Sequence, residues 1–375
     1  MDHRERDKRF ADLRRAMTEN DIEVLLIAGK GHGWTGRGYF RYLTDFHLWG
    51  HDGIVLFPLE GEPMVSLTSA GVAAKVGERG WISDCRGDWD VFPTIVDELN
   101  RRRLDGARIG LVGRQMILPV GVYEGLVDGL PGAEFVNADV LMDSIRAVKS
   151  PVEISQIEDL WRMASEAMEV FVEELKPGMT QLQASAEPIR FLYERGARDH
   201  LVFIDGAIPT RRELSLDGIL RYHMEICGPS GHWCEITVQP CFGALPEEAR
   251  YLMEVELLAY EEVRKIARPR STLNDLVRTY ESVLRDTGFE IDKAQAGHHY
   301  DMHGQGLDWI EWPNRAPNDP HRFDTELVAG MYINYHPSRA LIPAISSSGI
   351  NDGLLVTAGG GRRIYPDWDM RHRPM

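Results

Sequence analysis

Two stretches of the chain can be laid on each other. "LKPGMTQLQASAEPIRFLYERG" at 175–196 and "IARPRSTLNDLVRTYESVLRDTG" at 266–288 each place a basic residue before a proline. A threonine follows three residues after that proline, then a helical pattern, then a closing glycine. Each stretch is preceded by a long helical pattern and followed by strand-like sequence. The second half of the chain is therefore expected to hold a helix–strand unit twice over. Any two helix–turn–helix segments share part of this pattern, so the repeat gains force only from what surrounds it.

The first 145 residues read differently. "RERDKRFADLRRAMTEN", "DVFPTIVDELNRRRL" and "LPVGVYEGLVDGL" have helical periodicity. "IEVLLIAG", "RIGLVG" and "AEFVNA" are strand-like, and "DGIVLFP" and "EPMVSLT" form a strand pair across a Glu60-Gly61 turn. Strands alternating with helices predict an α/β layer domain. The pattern breaks at Lys149-Ser150-Pro151. Ser150 suits an N-cap, Pro151 the first helical turn, and Glu153 the third position of a capping box. A long amphipathic helix is expected from there to about Leu175. At 375 residues the chain exceeds one typical domain, and the break divides it into 1–147 and 148–375.

Composition excludes some functions. No run of about 18 apolar residues exists, so no membrane span is expected. The opening "MDHRERDKRF" is charged, and no signal peptide is expected there. Four cysteines do not make a disulfide framework in a chain this long, and the cytoplasm is the expected compartment. A net charge of −16 argues against nucleic-acid or membrane-surface partners. The charge does not identify a substrate, since many cytoplasmic enzymes are acidic.

"IRAVKSPVEISQIEDLWRMASEAM", "LKPGMTQLQAS", "HGQGLDWIEWP", "LVAGMYINYHP" and "NDGLLVTAGGG" occur in this order. Together they resemble the creatinase, prolidase and aminopeptidase P family over nearly the whole chain. The resemblance implies a small N-terminal α/β domain and a C-terminal "pita-bread" domain of α/β (α+β) class. In the latter, two pseudo-symmetric halves wrap a curved antiparallel sheet, which would account for the repeat. It also implies a homodimer, and a site whose peptidase members hold two metal ions with two Asp, one His and two Glu.

By that resemblance Glu225 in "YHMEICG" takes the place of the first Asp, and Glu235 in "CEITV" that of the second. His303 of "HGQG" is the family histidine, and His336 of "GMYINYHP" replaces a Glu. The last acid, expected after "VT", becomes Ala358. Ile310 stands where the peptidases have a histidine before Glu311, and "DGAIPTRRELS" lacks the histidine that creatinase uses as a proton shuttle. Gly304 and Gly306 are expected to leave room for substrate and for neighbouring strands.

Glu225, Glu235, Glu311, His303 and His336 would converge on one pocket, where buried carboxylates require a cation or shared protons. Glu235, His303 and His336 make a two-histidine, one-carboxylate set suited to one divalent ion, iron, manganese or zinc; no metal at all is the alternative. In either case Glu225, Glu311 and His303 are the candidate catalytic groups. Trp309, and Phe46, His47 and Trp49 from a partner subunit, are candidate substrate contacts. Glu225 and Glu235 share a face only if their hairpin closes through the five-residue loop "GPSGH". Cys227, Cys234 and Cys241, with His223 and His232, are scattered too widely for a zinc site and read as small buried residues. His298 and His299 suit either a lining or a loop.

The expected function is a divergent hydrolase or lyase. It would act at a C–N bond of a small amino-acid-like or guanidino-like metabolite. An Xaa-Pro peptidase with unusual ligands, a mononuclear non-haem metal enzyme and a non-catalytic binding module are the alternatives.

Overall fold

The computed structural model describes residues 3–33, 35–289, 302–313, 324–337 and 350–375. The chain divides into two compact units, Met1–Arg146 and Ala147–Met375. No helix among the described residues is long and apolar enough to cross a membrane.

The N-terminal unit runs α1 (His3–Glu19), β1 (Val24–Lys30), α2 (Arg37–Thr44), β2 (Asp52–Pro58), β3 (Met64–Leu67), α3 (Ala70–Arg79), β4 (Cys85–Gly87), α4 (Val91–Arg102), β5 (Arg108–Val112), α5 (Val120–Gly129), β6 (Glu134–Asn137) and α6 (Asp139–Ala147). Its strands form one sheet in the order β4-β3-β2-β1-β5-β6. Only β2 opposes its neighbours; β1, β5 and β6 run parallel, as do β3 and β4. Val24, Leu26, Ile109 and Leu111 of the sheet pack with Ile95 and Leu99 of α4 and Leu126 of α5. Gly61 closes the turn between β2 and β3 at φ 96°, a region that glycine enters without steric cost.

The C-terminal unit begins at α7 (Pro151–Glu174). Ser150 Oγ accepts from the Glu153 N–H at 3.2 Å, and Glu153 Oε2 accepts from the Ser150 N–H at 3.0 Å. The expected capping box is thus formed. α8 (Gln181–Glu194) follows, then β7 (Asp199–Ile204), β8 (Gly218–Ile219), β9 (Tyr222–Cys227), β10 (Trp233–Val238) and β11 (Pro240–Phe242). α9 (Glu247–Ile266) and α10 (Leu273–Asp286) precede β12 (Met302–Gly304), β13 (Tyr332–Tyr335), β14 (Asp352–Thr357), β15 (Gly360–Arg363) and β16 (Arg373–Pro374).

The repeat is visible in local detail. Thr180 caps α8 and Thr272 caps α10, each in a capping box with the residue three positions on. Each threonine also bridges to a glutamate, Thr180 to Glu213 and Thr272 to Glu326. The C-caps Arg195 and Thr287 share φ −98° and ψ 9°, and each is followed by a positive-φ glycine, Gly196 or Gly288. Behind the first helix pair lies the antiparallel sheet β10-β9-β7; behind the second lies β12-β13-β14-β15. Trp161 and Phe171 of α7, Tyr260 of α9 and Tyr280 of α10 share one buried core with Tyr222, Ile236 and Tyr335 of the strands.

Candidate metal centre

β9 and β10 are buried along their whole length. Their connection is the five-residue loop Gly228–His232, closed by the Gly228 N–H to the His232 carbonyl at 2.8 Å. This register sets Glu225 directly opposite Glu235, and both carboxylates lie on one face. In the second sheet, His303 of β12 lies opposite Asn334 of β13, and His336 follows the end of β13. Ligand atoms of Glu235, His303 and His336 all lie within 4.8 Å of one another.

Hydrogen bonds orient these groups. The Gly304 carbonyl can only accept, so His303 Nδ1, at 2.9 Å, carries a proton and donates it. His303 Nε2 then offers its lone pair. Asn334 Nδ2 approaches it at 3.4 Å, and Glu235 Oε1 stands 3.5 Å away. Such a carbonyl-fixed imidazole is the arrangement of a metal-binding histidine. Glu235 Oε1 accepts from Gln305 Nε2 at 2.7 Å, whereas the buried Oε2 accepts no hydrogen bond and faces His336 Nε2 at 3.3 Å. Burial alone would raise the Glu235 pKa; the imidazoles of His336 and His303 outweigh it and hold the carboxyl below its ordinary value.

A second group joins His223, Glu225 and Glu235 within the same 4.8 Å limit, and a proton closes it. Thr237 donates its hydroxyl hydrogen to Asn351 Oδ1. Thr237 Oγ1 therefore accepts from His223 Nδ1, at 2.9 Å. His223 Nε2 is then an acceptor, and Glu225 Oε1, 3.3 Å away, is the donor. The direction of both pKa shifts agrees. Burial, aided by the Arg221 charge, pushes His223 down to about 3 despite Glu235. Burial and the Glu235 charge push Glu225 well above the carboxylate range, offset in part by the Trp309 indole. The donors thus fit one divalent cation on Glu235, His303 and His336, beside a protonated Glu225–His223 pair.

Three expectations need correction. Ala358 is not at the site. Pairing of Tyr335 with Asp352 makes Asn351 the residue that continues the register opposite His336. Ala358 follows the other end of β14, seven residues on and so roughly 23 Å along an extended chain. The register, not the Val-Thr pair, selects the residue, and it is a neutral amide. Nor do Gly304 and Gly306 open onto substrate. A Cβ on Gly304 would strike the Trp312 backbone, and one on Gly306 would lie 2.6 Å from Lys149 Nζ. Glu311 is not a free acid or base either. Its Oε2 pairs with Lys149 Nζ at 2.6 Å, with both side chains buried, and its Oε1 accepts from the Asp308 N–H at 3.0 Å.

Trp309 is half-buried in the turn after Gln305. Phe46, His47 and Trp49 belong to the N-terminal unit; the first two are half-buried and Trp49 is 70% exposed. The metal-ligand group consists of C-terminal-unit residues alone. Cys227, Cys234 and Cys241 are buried free thiols. His298 and His299 lie outside the described residues. His223, Thr237, Gln305, Asn351 and Lys149 were not expected at the site. Period-two alternation could have found the first two, since each stands two residues from a site glutamate.

The family model for the Creatinase/Prolidase N-terminal domain matches residues 9–148, and that for Metallopeptidase family M24 matches residues 155–358. The Xaa-Pro dipeptidase of Pyrococcus horikoshii is 26% identical over 271 residues, which cover 68% of this chain and 72% of that protein. The Xaa-Pro dipeptidase of Pyrococcus furiosus is 25% identical over 249 residues, 62% of this chain and 66% of that one. Among solved structures, the prolidase from Pyrococcus horikoshii OT3 superposes with a TM-score of 0.76 at 20% identity, covering 98% of this chain and 99% of that one. The prolidase from Thermococcus sibiricus superposes with a TM-score of 0.80 at 17% identity over the whole of both chains. The fold is therefore the two-domain pita-bread fold, and with its catalytic-type domain matched across 155–358 the chain belongs to metallopeptidase family M24.

Proposed function

We propose that the chain is a divalent-cation-dependent hydrolase that cleaves a C–N bond of a small amino-acid-like or guanidino-like substrate. The observation that carries this reading is the buried Glu235 carboxylate: its Oε1 stands 3.5 Å from His303 Nε2, and its Oε2, without a hydrogen bond, faces His336 Nε2 at 3.3 Å. An anionic oxygen this deep needs a counter-charge, and two imidazoles with one carboxylate are a donor set for iron, manganese or zinc. When bound, the cation would supply Lewis-acid chemistry at the scissile carbon. Gln305 holds Glu235 Oε1, and the Gly304 carbonyl holds the His303 ring through Nδ1. Glu225 would hold its one proton against His223, pass that proton to a leaving nitrogen, and regain one from the attacking water. Trp309, beside Glu225, would wall the substrate. Phe46, His47 and Trp49 would reach it from the partner in a homodimer, which light scattering at micromolar concentration tests. The cytoplasm remains the proposed compartment.

A second reading, an Xaa-Pro dipeptidase, is favoured by the Pyrococcus relatives. One assay separates the two. Protein loaded in turn with Fe²⁺, Mn²⁺, Co²⁺ or Zn²⁺ is given Ala-Pro and, separately, N-acyl amino acids and guanidino acids, with products followed by chromatography. Proline release at roughly 1–1000 per second decides for the dipeptidase. Ion-dependent turnover of the other substrates alone decides for the first reading. Failure to bind any ion removes both, and leaves a metal-free enzyme or a binding module.

A further inference from the structure

Lys149 lies on the N-terminal side of the α7 cap, and three of its neighbours connect it to the strands of the metal centre. Its backbone N–H donates to the Gly330 carbonyl at 2.9 Å, and the adjacent Val148 bridges Met331. That is the entry to β13, whose far end leads to His336. Its side chain reaches in another direction, to Glu311 Oε2 at 2.6 Å. Glu311 in turn closes the segment that starts at His303: its N–H donates to the Gly304 carbonyl at 2.7 Å, and its Oε1 takes the Asp308 N–H. Between Gly304 and Gly306 stands Gln305, whose amide holds Glu235. The Gly306 carbonyl also accepts from the Trp233 N–H of β10 at 2.7 Å. Gly306 has no room for a side chain because the Lys149–Glu311 pair fills that space.

We propose that Lys149 and Glu311 are positioning residues: their buried ion pair clamps the His303–Gln305 segment to the strand that leads to His336, and so sets the spacing of the cation ligands. The proposal rests on the reading that a cation binds Glu235, His303 and His336. A buried pair of this kind is costly to break from one side, because the remaining charge is stranded, but removing both partners leaves no stranded charge. This asymmetry separates clamping from mere stability.

The test uses the full chain, Co²⁺ as the probe, and three variants: Lys149→Met, Glu311→Gln and the double variant. The urea midpoint is read without metal, and the Co²⁺ dissociation constant and visible spectrum are read by titration. Each single variant loses midpoint. The double variant recovers most of that loss, yet its Co²⁺ dissociation constant stays about tenfold or more above wild type with an altered spectrum, the size of effect seen when groups supporting metal ligands are removed. Recovery of wild-type affinity and spectrum together with the midpoint overturns the clamp. Glu311→Asp covers the case in which the double variant does not fold. It keeps the charge and shortens the reach by one methylene, so a raised dissociation constant supports the clamp, and wild-type affinity and spectrum overturn it. Wild-type protein that binds no Co²⁺ overturns the cation reading, and the clamp with it.

Discussion

Gly304 shows how a residue can be read correctly as bare and wrongly as open. Its backbone is crowded by Trp312 and Pro313 of its own returning segment. Backbone cannot swing aside as a side chain can, so Gly304→Ala should displace the segment bearing His303 and cost roughly 1–3 kcal/mol, measured by urea unfolding. A wild-type midpoint would mean that the segment has slack. Glu225 offers the opposite case. If it carries a proton towards His223, the neutral amide of Glu225→Gln replaces one donor with another, and stability at pH 7 should change by less than about 1 kcal/mol. A larger loss would show that the carboxylate form is the one the protein holds. Glu235→Gln is expected to differ, because it removes the negative charge facing His303 and His336 and should weaken Co²⁺ binding in direct titration.

Elements differ in how much of them a sequence discloses. The cap of α7 was legible because a cap joins residues three apart, and Ser150-Glu153 states it openly; the threonines that cap α8 and α10 were visible only as a matched position of the repeat. The Glu225–Glu235 face was legible up to one unknown, the loop length, and the five-residue loop resolves it. Asn351 was not legible. Which residue of β14 meets His336 depends on pairing between strands, and the Val-Thr pair pointed seven residues too far along the chain. Lys149 and Glu311 were each visible in a motif, but they lie 162 residues apart and nothing local joins them. The repeat does make a local prediction. Thr180 and Thr272 cap their helices with the same geometry, so Thr180→Ala and Thr272→Ala should each cost about 1 kcal/mol in urea unfolding. A loss in only one of them would mean that the two halves no longer use the cap alike.

For the whole molecule, the two units should answer to different ligands of their stability. Among the described residues, the groups of side chains suited to a metal lie in the C-terminal unit. In the N-terminal unit the equivalent charged focus is Glu98 of α4, fully buried and held by Arg101 at 2.5 Å, Arg102 at 2.6 Å and Arg86 at 2.9 Å. The Arg101 hydrogen bond leads in lowering the Glu98 pKa, with Arg102 and Arg86 adding to it against the effect of burial. A carboxyl whose folded pKa lies below its unfolded value of about 4.3 stabilises the fold above that value and loses the contribution as pH falls towards the folded one. Glu98→Gln should therefore lower the melting transition of the N-terminal unit at pH 7, and the gap from wild type should narrow below about pH 4. Scanning calorimetry of the full chain can follow both units, since a chain of two compact units need not unfold in one step. At a hundred times its dissociation constant a bound cation adds about 2.7 kcal/mol to whatever binds it. Zn²⁺ or Mn²⁺ should thus raise the C-terminal transition and leave the one lowered by Glu98→Gln in place. A cation that moved both transitions equally would mean that the units unfold as one, and the separate assignment of charge and metal to them would fail.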